Sequence, residues 1–452
     1  MQYLSVDEAL DFILTAFNPL EAQPVEVGHA LGRILAEDVL SPLNIPPFTN
    51  SAMDGYAIRA VDTAGATPES PARLRLVAEV AAGQVCDQIL GPGMAIRIMT
   101  GAALPQGADA VVRFEDTTEG FFDFSITSPA TFPGSKDSLT GNRHKPQEVG
   151  VYIQASPGLN VRQEGEDVQA GRLVLQAGTR LNPGHLGLLA AMGITTLGCA
   201  RRPHVGILAT GSELLEPGQP LTPGKIYNSN NPMLAALVVG CGAEAVMLGN
   251  ASDNWEVIRS RLVEGLRLGV DLILTSGGVA VGDYDLLKQV LQAEGQLDMW
   301  QVRMRQGKPL AFGHLGGIPL LGLPGNPLAP LVSFELFARP AILKMQGLTP
   351  ILAPLEANLA APIHNPSGQR NFLRGKMGLQ GTNLWVWPGE TLKSSQLASL
   401  IESDCLIVAH EERSSYVPGD RIGIIPLYGP GLNQTNTMSR ATNPTVTRIN
   451  NS

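Results

Sequence analysis

The sequence predicts an α/β multidomain chain: a central α/β domain with a parallel sheet, flanked by a helical and β segment, a small β-domain and a C-terminal β-domain. Three glycine loops predict the centre: ATGSELLEPG (209–218), TSGGVAVGDYD (275–285) and LGLPGNPLAP (321–330). Each follows an apolar run too short for a helix, namely VGILAT from Val205, VDLILTS from Val270 and IPLLG from Ile318. A helix-like segment follows each loop, and strands that alternate with helices build parallel sheets. Such turns gather at the carboxyl edge of the sheet, where ligands bind.

In chain order, Ser5 with Glu8 forms a capping box, and Val6, Ala9, Leu10, Ile13, Leu14 and Phe17 recur at helical spacing. The chain therefore opens with an amphipathic helix. The prolines of PLNIPPF (42–48) interrupt regular structure, and a second helix is expected from Asn182, with Pro183 in its first turn and Gly193 past its end. Between them RLRLVAEV, MAIRIM, ADAVVRF and GVYIQ read as the strands of a small β-domain. FFDFSI alternates and reads as an extra strand, while SKDSLTGNRHKPQE (135–148) reads as an exposed excursion. In the α/β unit Asn230 is expected to cap the helix through LAALVVG, AEAVML to be a strand, and Asp253 and Asp285 to precede helices. LWVW, CLIVA and RIGIIPL, with a helix near 394–402, make the last β-domain. The expected domains are 1–45 with 166–202, then 46–165, 203–347 and 348–428; the polar residues 429–452 read as a disordered tail.

Composition narrows the function. Forty-four per cent apolar residues, 16% charged and a mean hydropathy of +0.08 describe a soluble globular chain. A net charge of −9 and a pI near 5.4 exclude a general nucleic-acid-binding surface, so contacts to an anionic ligand must be local. Cys86, Cys199, Cys241 and Cys405 form no C-x-x-C pair and read as isolated buried thiols. The N-terminus has no basic n-region and no apolar stretch reaches 18 residues, so neither a signal peptide nor a membrane span is expected, and a cytoplasmic compartment is the default expectation.

Glycine loops expose N–H groups to anions, and Glu213, Asp283 and Asp285 within them could hold a hard cation against a phosphate. Asp54 in NSAMDGYAIR and Thr100 in RIMTGAALPQGADAVV sit in turns whose bland reading is structural punctuation; Thr100 offers a hydroxyl and a free amide at a strand end. NVRQEGEDV reads as a solvated charge run, or as Arg162 meeting a phosphate while Asp167 orients it. Arg303, Arg305 and Lys308 around Gly307 are either snorkelling surface cations or an anion anchor. Ser212 lacks the G-x-S-x-G context and reads as a turn or capping hydroxyl; Walker A, G-x-G-x-x-G and H-x-x-x-H patterns are missing.

SAMDGYAIR, RIMTGAALPQGADAVV, GEDV, TGSEL, SGGVAVGDYD, GKPLAFG and LPGNPL, in this order, resemble the MoeA / gephyrin E-domain family over about residues 5–428. The resemblance implies an L-shaped homodimer of four subdomains: an elongated helical/β segment, a small β-domain, a MogA-like α/β domain and a C-terminal β-barrel-like domain. It implies a molybdopterin molybdotransferase, whose substrates are adenylylated molybdopterin and molybdate and whose product AMP leaves with help from Mg²⁺. Carried over by position, catalytic roles fall on Asp54, Thr100, Asp167, Glu213, Asp253, Asp285 and Lys308, and substrate contacts on Arg162, Arg370, Arg374 and Ser394. Charge and the glycine loops themselves add the expectation of Glu213 and Asp285 on the metal and of Thr210, Gly211, Ser276, Gly277, Gly278, Arg305, Pro324, Gly325 and Asn326 on the substrate. The family's K-P-G-K-P is Arg305-Gln306-Gly307-Lys308-Pro309 here, so Gln306 removes a proline expected to stiffen the turn. Expected partners are a second copy, the pathway's adenylyltransferase and molybdoenzyme-loading proteins, with no nucleic acid or membrane. The alternatives are that adenylyltransferase activity itself, or a gephyrin-like scaffold.

Overall fold

The computed structural model describes residues 4–120, 147–279, 286–350, 354–365, 368–389 and 397–427. FFDFSI, nearly all of the 135–148 excursion, the 429–452 tail, Asp283, Asp285 and Ser394 lie outside them. Two compact units emerge, one of Asp38–Ala177 with Pro183–Thr195, the other of Met1–Glu37, Gly178–Asn182 and Thr196–Ser452.

The first helix, α1 (Val6–Leu14), starts at the expected capping box: the Glu8 amide donates to Ser5 Oγ and the Ser5 amide to Glu8 Oε2, at 3.2 and 2.7 Å. In the smaller unit five strands, β1 (Gly55–Ile58), β2 (Ala72–Val80), β3 (Met94–Ile98), β4 (Ala110–Arg113) and β5 (Glu148–Val151), form one sheet in the order β4-β1-β3-β2-β5. Only β2 and β3 run parallel. Tyr56, Ile58, Leu74, Val112 and Val149 bury one face, and Ile96, Ile98 and Val111 the other. Helix α2 (Pro183–Ala191) begins with its proline, which needs no N–H in the first turn.

The larger unit holds β6 (His204–Thr210), α3 (Asn230–Gly240), β7 (Glu244–Ala251), α4 (Trp255–Arg267), β8 (Leu272–Ser276), α5 (Leu286–Glu294), β9 (Gly295–Gln301), β10 (Pro309–Leu315) and β11 (Ile318–Leu323). Its sheet order is β7-β6-β8-β11-β10-β9. Strands β7, β6, β8 and β11 are parallel, whereas β10 and β9 join antiparallel at one edge. That edge departs from an all-parallel sheet because β10 and β11 are linked by the short Gly316–Gly317 turn, too brief for a crossover. Apolar side chains cover both faces. Leu234 and Val238 of α3, Val6, Ala9 and Ile13 of α1, and the helical run Leu328–Met345 pack on one; Ile258 and Leu262 of α4 and Val290 of α5 pack on the other.

After it, β12 (Leu355–Leu359), β13 (Arg370–Gln380), β14 (Asn383–Pro388), β15 (Cys405–Ala409) and β16 (Arg421–Pro426) pair as β13-β14-β12-β16-β15, and β15 returns to β13. The C-terminal sheet is thus a closed five-stranded barrel, which leaves no unpaired edge among these strands. Phe372, Leu406 and Ile425 of the barrel share a core with the α/β sheet. Cys199, Cys241 and Cys405 are buried free thiols, and burial pushes the latter two up to about 12. Cys86 is only half-buried.

Candidate active site

Strands β6, β8 and β11 are parallel and end at Thr210, Ser276 and Leu323, so the loops that follow meet at one sheet edge. A cleft of about 650 Å³ opens there, lined by Thr210, Gly211, Glu213, Asp253, Ser276–Val279 and Pro324–Pro327 among others. Gly277 (φ 87°) and Gly278 (φ 67°) adopt left-handed backbone. A Cβ on Gly277 would stand 2.4 Å from the Thr210 carbonyl oxygen, and one on Gly278 2.7 Å from Thr210 Oγ1. The loops therefore touch backbone to backbone, which only glycine permits. Gly325 lies against Gly277 Cα at 3.6 Å.

Donors and acceptors here are arranged unevenly. Ser212 and Asp253 clasp each other: the Ser212 amide donates to Asp253 Oδ2, and the Asp253 amide to Ser212 Oγ, both at 2.9 Å. Lys225 Nζ donates to the Ser212 carbonyl at 2.5 Å. The Glu213 carboxylate folds back over Gly211, where a Cβ would meet its Oε2 at 2.5 Å. The Asn228 side chain accepts from the amides of Asn230 and Asn231, both at 3.1 Å, and so caps α3. Asn230 instead reaches sideways, its Nδ2 donating to Ser276 Oγ at 2.7 Å and the Gly325 carbonyl at 2.8 Å. Thr210 Oγ1 and Asn230 Oδ1 are buried with no hydrogen-bond partner among the described residues. Both residues line the cleft, and a buried polar atom left unsatisfied costs about 1–3 kcal/mol.

The residue types a hard divalent cation favours are present: Glu213, Asp253, Asn228 and Ser229 all line the cleft. Among the described residues no cluster of three or more His, Cys, Asp or Glu could cage a metal alone. Mg²⁺ is commonly held by one or two carboxylates with water and substrate phosphate supplying the rest.

In the smaller unit Asp54 Oδ1 accepts from the Thr100 amide at 2.6 Å and the Thr100 hydroxyl at 2.8 Å. The amide bond, then the hydroxyl bond, hold the Asp54 carboxyl below its ordinary value. Asn50–Ser51 pairs with Val161–Arg162 on one side, and Ser51 bonds Ala102 and Gly101 on the other. This short strand brings Arg162 near the Asp54–Thr100 turn. Asp167 is exposed, its amide held by the Ile45 carbonyl.

Three models of known families match along the chain: the MoeA N-terminal region (domain I and II) at 4–193, a probable molybdopterin binding domain at 206–344, and the MoeA C-terminal region (domain IV) at 356–427. A Mycobacterium tuberculosis protein named molybdopterin molybdenumtransferase 2 is 40% identical over 83% of this chain and 88% of its own length. The chain belongs to the MoeA family. Another member, the molybdopterin molybdenumtransferase of Bacillus subtilis, is 35% identical over 93% of this chain and 94% of that one. The crystal structure of a molybdopterin biosynthesis MoeA protein from Pyrococcus horikosii superposes with a TM-score of 0.78 at 31% identity, covering 95% of this chain and all of that one.

Within this MoeA-family chain several residues differ from their expected local roles. Thr100 has no free amide, because Asp54 takes it. Asn228, not Asn230, caps α3. The Gly277 amide donates to the Leu323 carbonyl at 3.0 Å, so it is spent on the sheet edge before any ligand arrives. Gln306 sits at φ 64°, which proline cannot adopt, so this turn is not a loosened form of a proline turn. Arg303 and Arg305 are exposed and Lys308 is half-buried. Arg370 is held by Asp7 on α1 at 2.8 Å and Glu411 at 3.0 Å, and Arg374 is 3% exposed. Ser212 has the turn role expected of it. Motif spacing assigns no site role to Tyr227, Asn228 or Asn230, which line the cleft, nor to Lys225, which bonds Ser212; the Asn-rich run YNSNN close to a glycine loop is the sequence signal for them. Among the described residues no helix is long and apolar enough to cross a membrane.

Proposed function

We propose that this chain is a molybdopterin molybdenumtransferase of molybdenum cofactor biosynthesis that inserts molybdate into adenylylated molybdopterin and releases AMP. The observation that carries this reading is the convergence of Thr210, Ser276, Gly278 and Gly325 around one cleft that the acidic residues Glu213 and Asp253 also line. Phosphate of the substrate lies against Gly278 and Gly325, whose lack of a side chain lets it approach the backbone. Glu213, with Asp285 or Asp253, would hold Mg²⁺, and the ion would supply positive charge beside a leaving phosphate. Thr210 and Ser276 orient the substrate.

Molybdate is a dianion that approaches a ligand rich in phosphate and thiolate. Bringing two unit charges to 4 Å costs about 4 kcal/mol at an effective dielectric near 20, so nearby cations must offset the repulsion. Within the larger unit Lys308 and Arg305 are the cations assigned to that task, with Arg370, Arg374 and Ser394 as further substrate contacts and Asp253 added to them. Arg162, Asp54, Thr100 and Asp167 of the smaller unit are proposed as functional residues in their own right. The chain works as a four-domain homodimer in the cytoplasm, receiving its substrate from the adenylyltransferase of the pathway and passing product to molybdoenzyme-loading proteins. AMP release from adenylylated molybdopterin, followed with and without molybdate and Mg²⁺, tests the reading. Release that depends on both is expected; release indifferent to molybdate would reject it.

A further inference from the structure

Asn230 lies 95 residues from Gly325 and 46 from Ser276, yet its side-chain amide bonds to both. The Gly325 carbonyl can only accept, so the NH₂ end of the amide must face it; the reversed orientation would set two acceptors together. Both Nδ2 hydrogens are thereby spent, and Oδ1 is the end left buried without a partner. Ser276, 2% exposed, receives one of those hydrogens on its Oγ. A hydroxyl that accepts there has its own hydrogen directed elsewhere, and among the described residues Ser276 Oγ gives it to no acceptor. Ser276 also lines the cleft.

We infer that Asn230 is a positioning residue that ties the loops after β8 and β11 together and turns the Ser276 hydroxyl into a preoriented donor for an anionic ligand oxygen. The inference rests on the reading of the cleft given above and adds a residue and a role to it. The Asn230 amide fills one of the two lone pairs of Ser276 Oγ and so turns the hydroxyl hydrogen away from itself, leaving it for a ligand in the cleft. Without Asn230 the hydroxyl rotates freely and the Gly325 loop loses its tether to α3.

The test is a double-mutant cycle on the full-length protein. Asn230→Ala and Ser276→Ala are each expected to lower kcat/KM for molybdate-dependent AMP release by roughly tenfold to a hundredfold, the range for one hydrogen bond to a charged group. Because both act through one hydroxyl, the double variant should lose no more than about twofold beyond the worse single variant. Losses that multiply would overturn the inference. Asn230→Asp supplies no donor to Ser276 or Gly325, so it must be at least as impaired as Asn230→Ala; near-wild-type activity would also overturn it. Hydrogen exchange separates this inference from the assigned reaction, since it needs no turnover. In Asn230→Ala, amides of residues 276–279 and of Gly325 and Asn326 should exchange faster with the rest of the sheet unchanged. Unchanged exchange in both loops refutes the tether even if AMP is released. Faster exchange in Asn230→Ala, when the parent chain releases no AMP, upholds the tether and rejects the reaction.

Discussion

Replacing Gly277 by alanine probes the loop convergence on which the site depends. The residue has φ 87°, where an L side chain costs about 1–2 kcal/mol. The new Cβ would stand 2.4 Å from the Thr210 carbonyl oxygen and 3.1 Å from Thr210 Oγ1. The first contact is with backbone, so no rotamer change relieves it, and overpacking of this kind adds about 1–3 kcal/mol. The total is about 2–5 kcal/mol. At roughly 2–4 °C per kcal/mol for a domain of 150–250 residues, the melting transition should fall by roughly 4–20 °C. Gly325→Ala is the internal control: its φ is not in the left-handed region and its nearest neighbour is Gly277 Cα at 3.6 Å, an ordinary contact. It should melt within about 2 °C of the parent, inside the range of neutral substitutions. Scanning calorimetry of the three proteins decides. Gly277→Ala melting with the parent, or the two variants falling equally, would refute the backbone-to-backbone contact between the β6 and β8 loops.

Three further outcomes are expected. Glu213→Gln should lower AMP release by roughly 10²–10³ across a Mg²⁺ titration while leaving the melting temperature nearly unchanged, because Glu213 is exposed; full activity at limiting Mg²⁺ counts against its metal role. Asp54 has a folded value depressed below 3.8 by the Thr100 amide and hydroxyl, so its contribution is fully present above that pH and is lost as pH falls through the folded value. Carboxyl carbon NMR should therefore show Asp54 ionised throughout pH 5–8, and a midpoint above about 4.5 would contradict the clasp. Gln306→Pro should destabilise the fold by about 3 kcal/mol or more, since proline cannot reach φ 64°, whereas Gln306→Gly should not; equal denaturation midpoints for both would refute the turn geometry.

By itself the sequence determined the α/β class, the three strand-and-glycine loops, the capping box at Ser5 and the family, because each is written in neighbouring residues. Periodicity and turn chemistry are local, and seven motifs in a fixed order specify a family without coordinates. Partnerships between distant residues were decided only in the tertiary structure. Asp54 and Thr100 are 46 positions apart, and Asn230 and Gly325 are 95 apart. Whether Thr100 keeps a free amide, whether Gly277 has one to offer a ligand, and whether Asn230 caps its helix or ties two loops all depend on strand register. A hydrogen bond is satisfied once, by whichever group the folded chain brings within about 3 Å, and composition carries no record of which group that is.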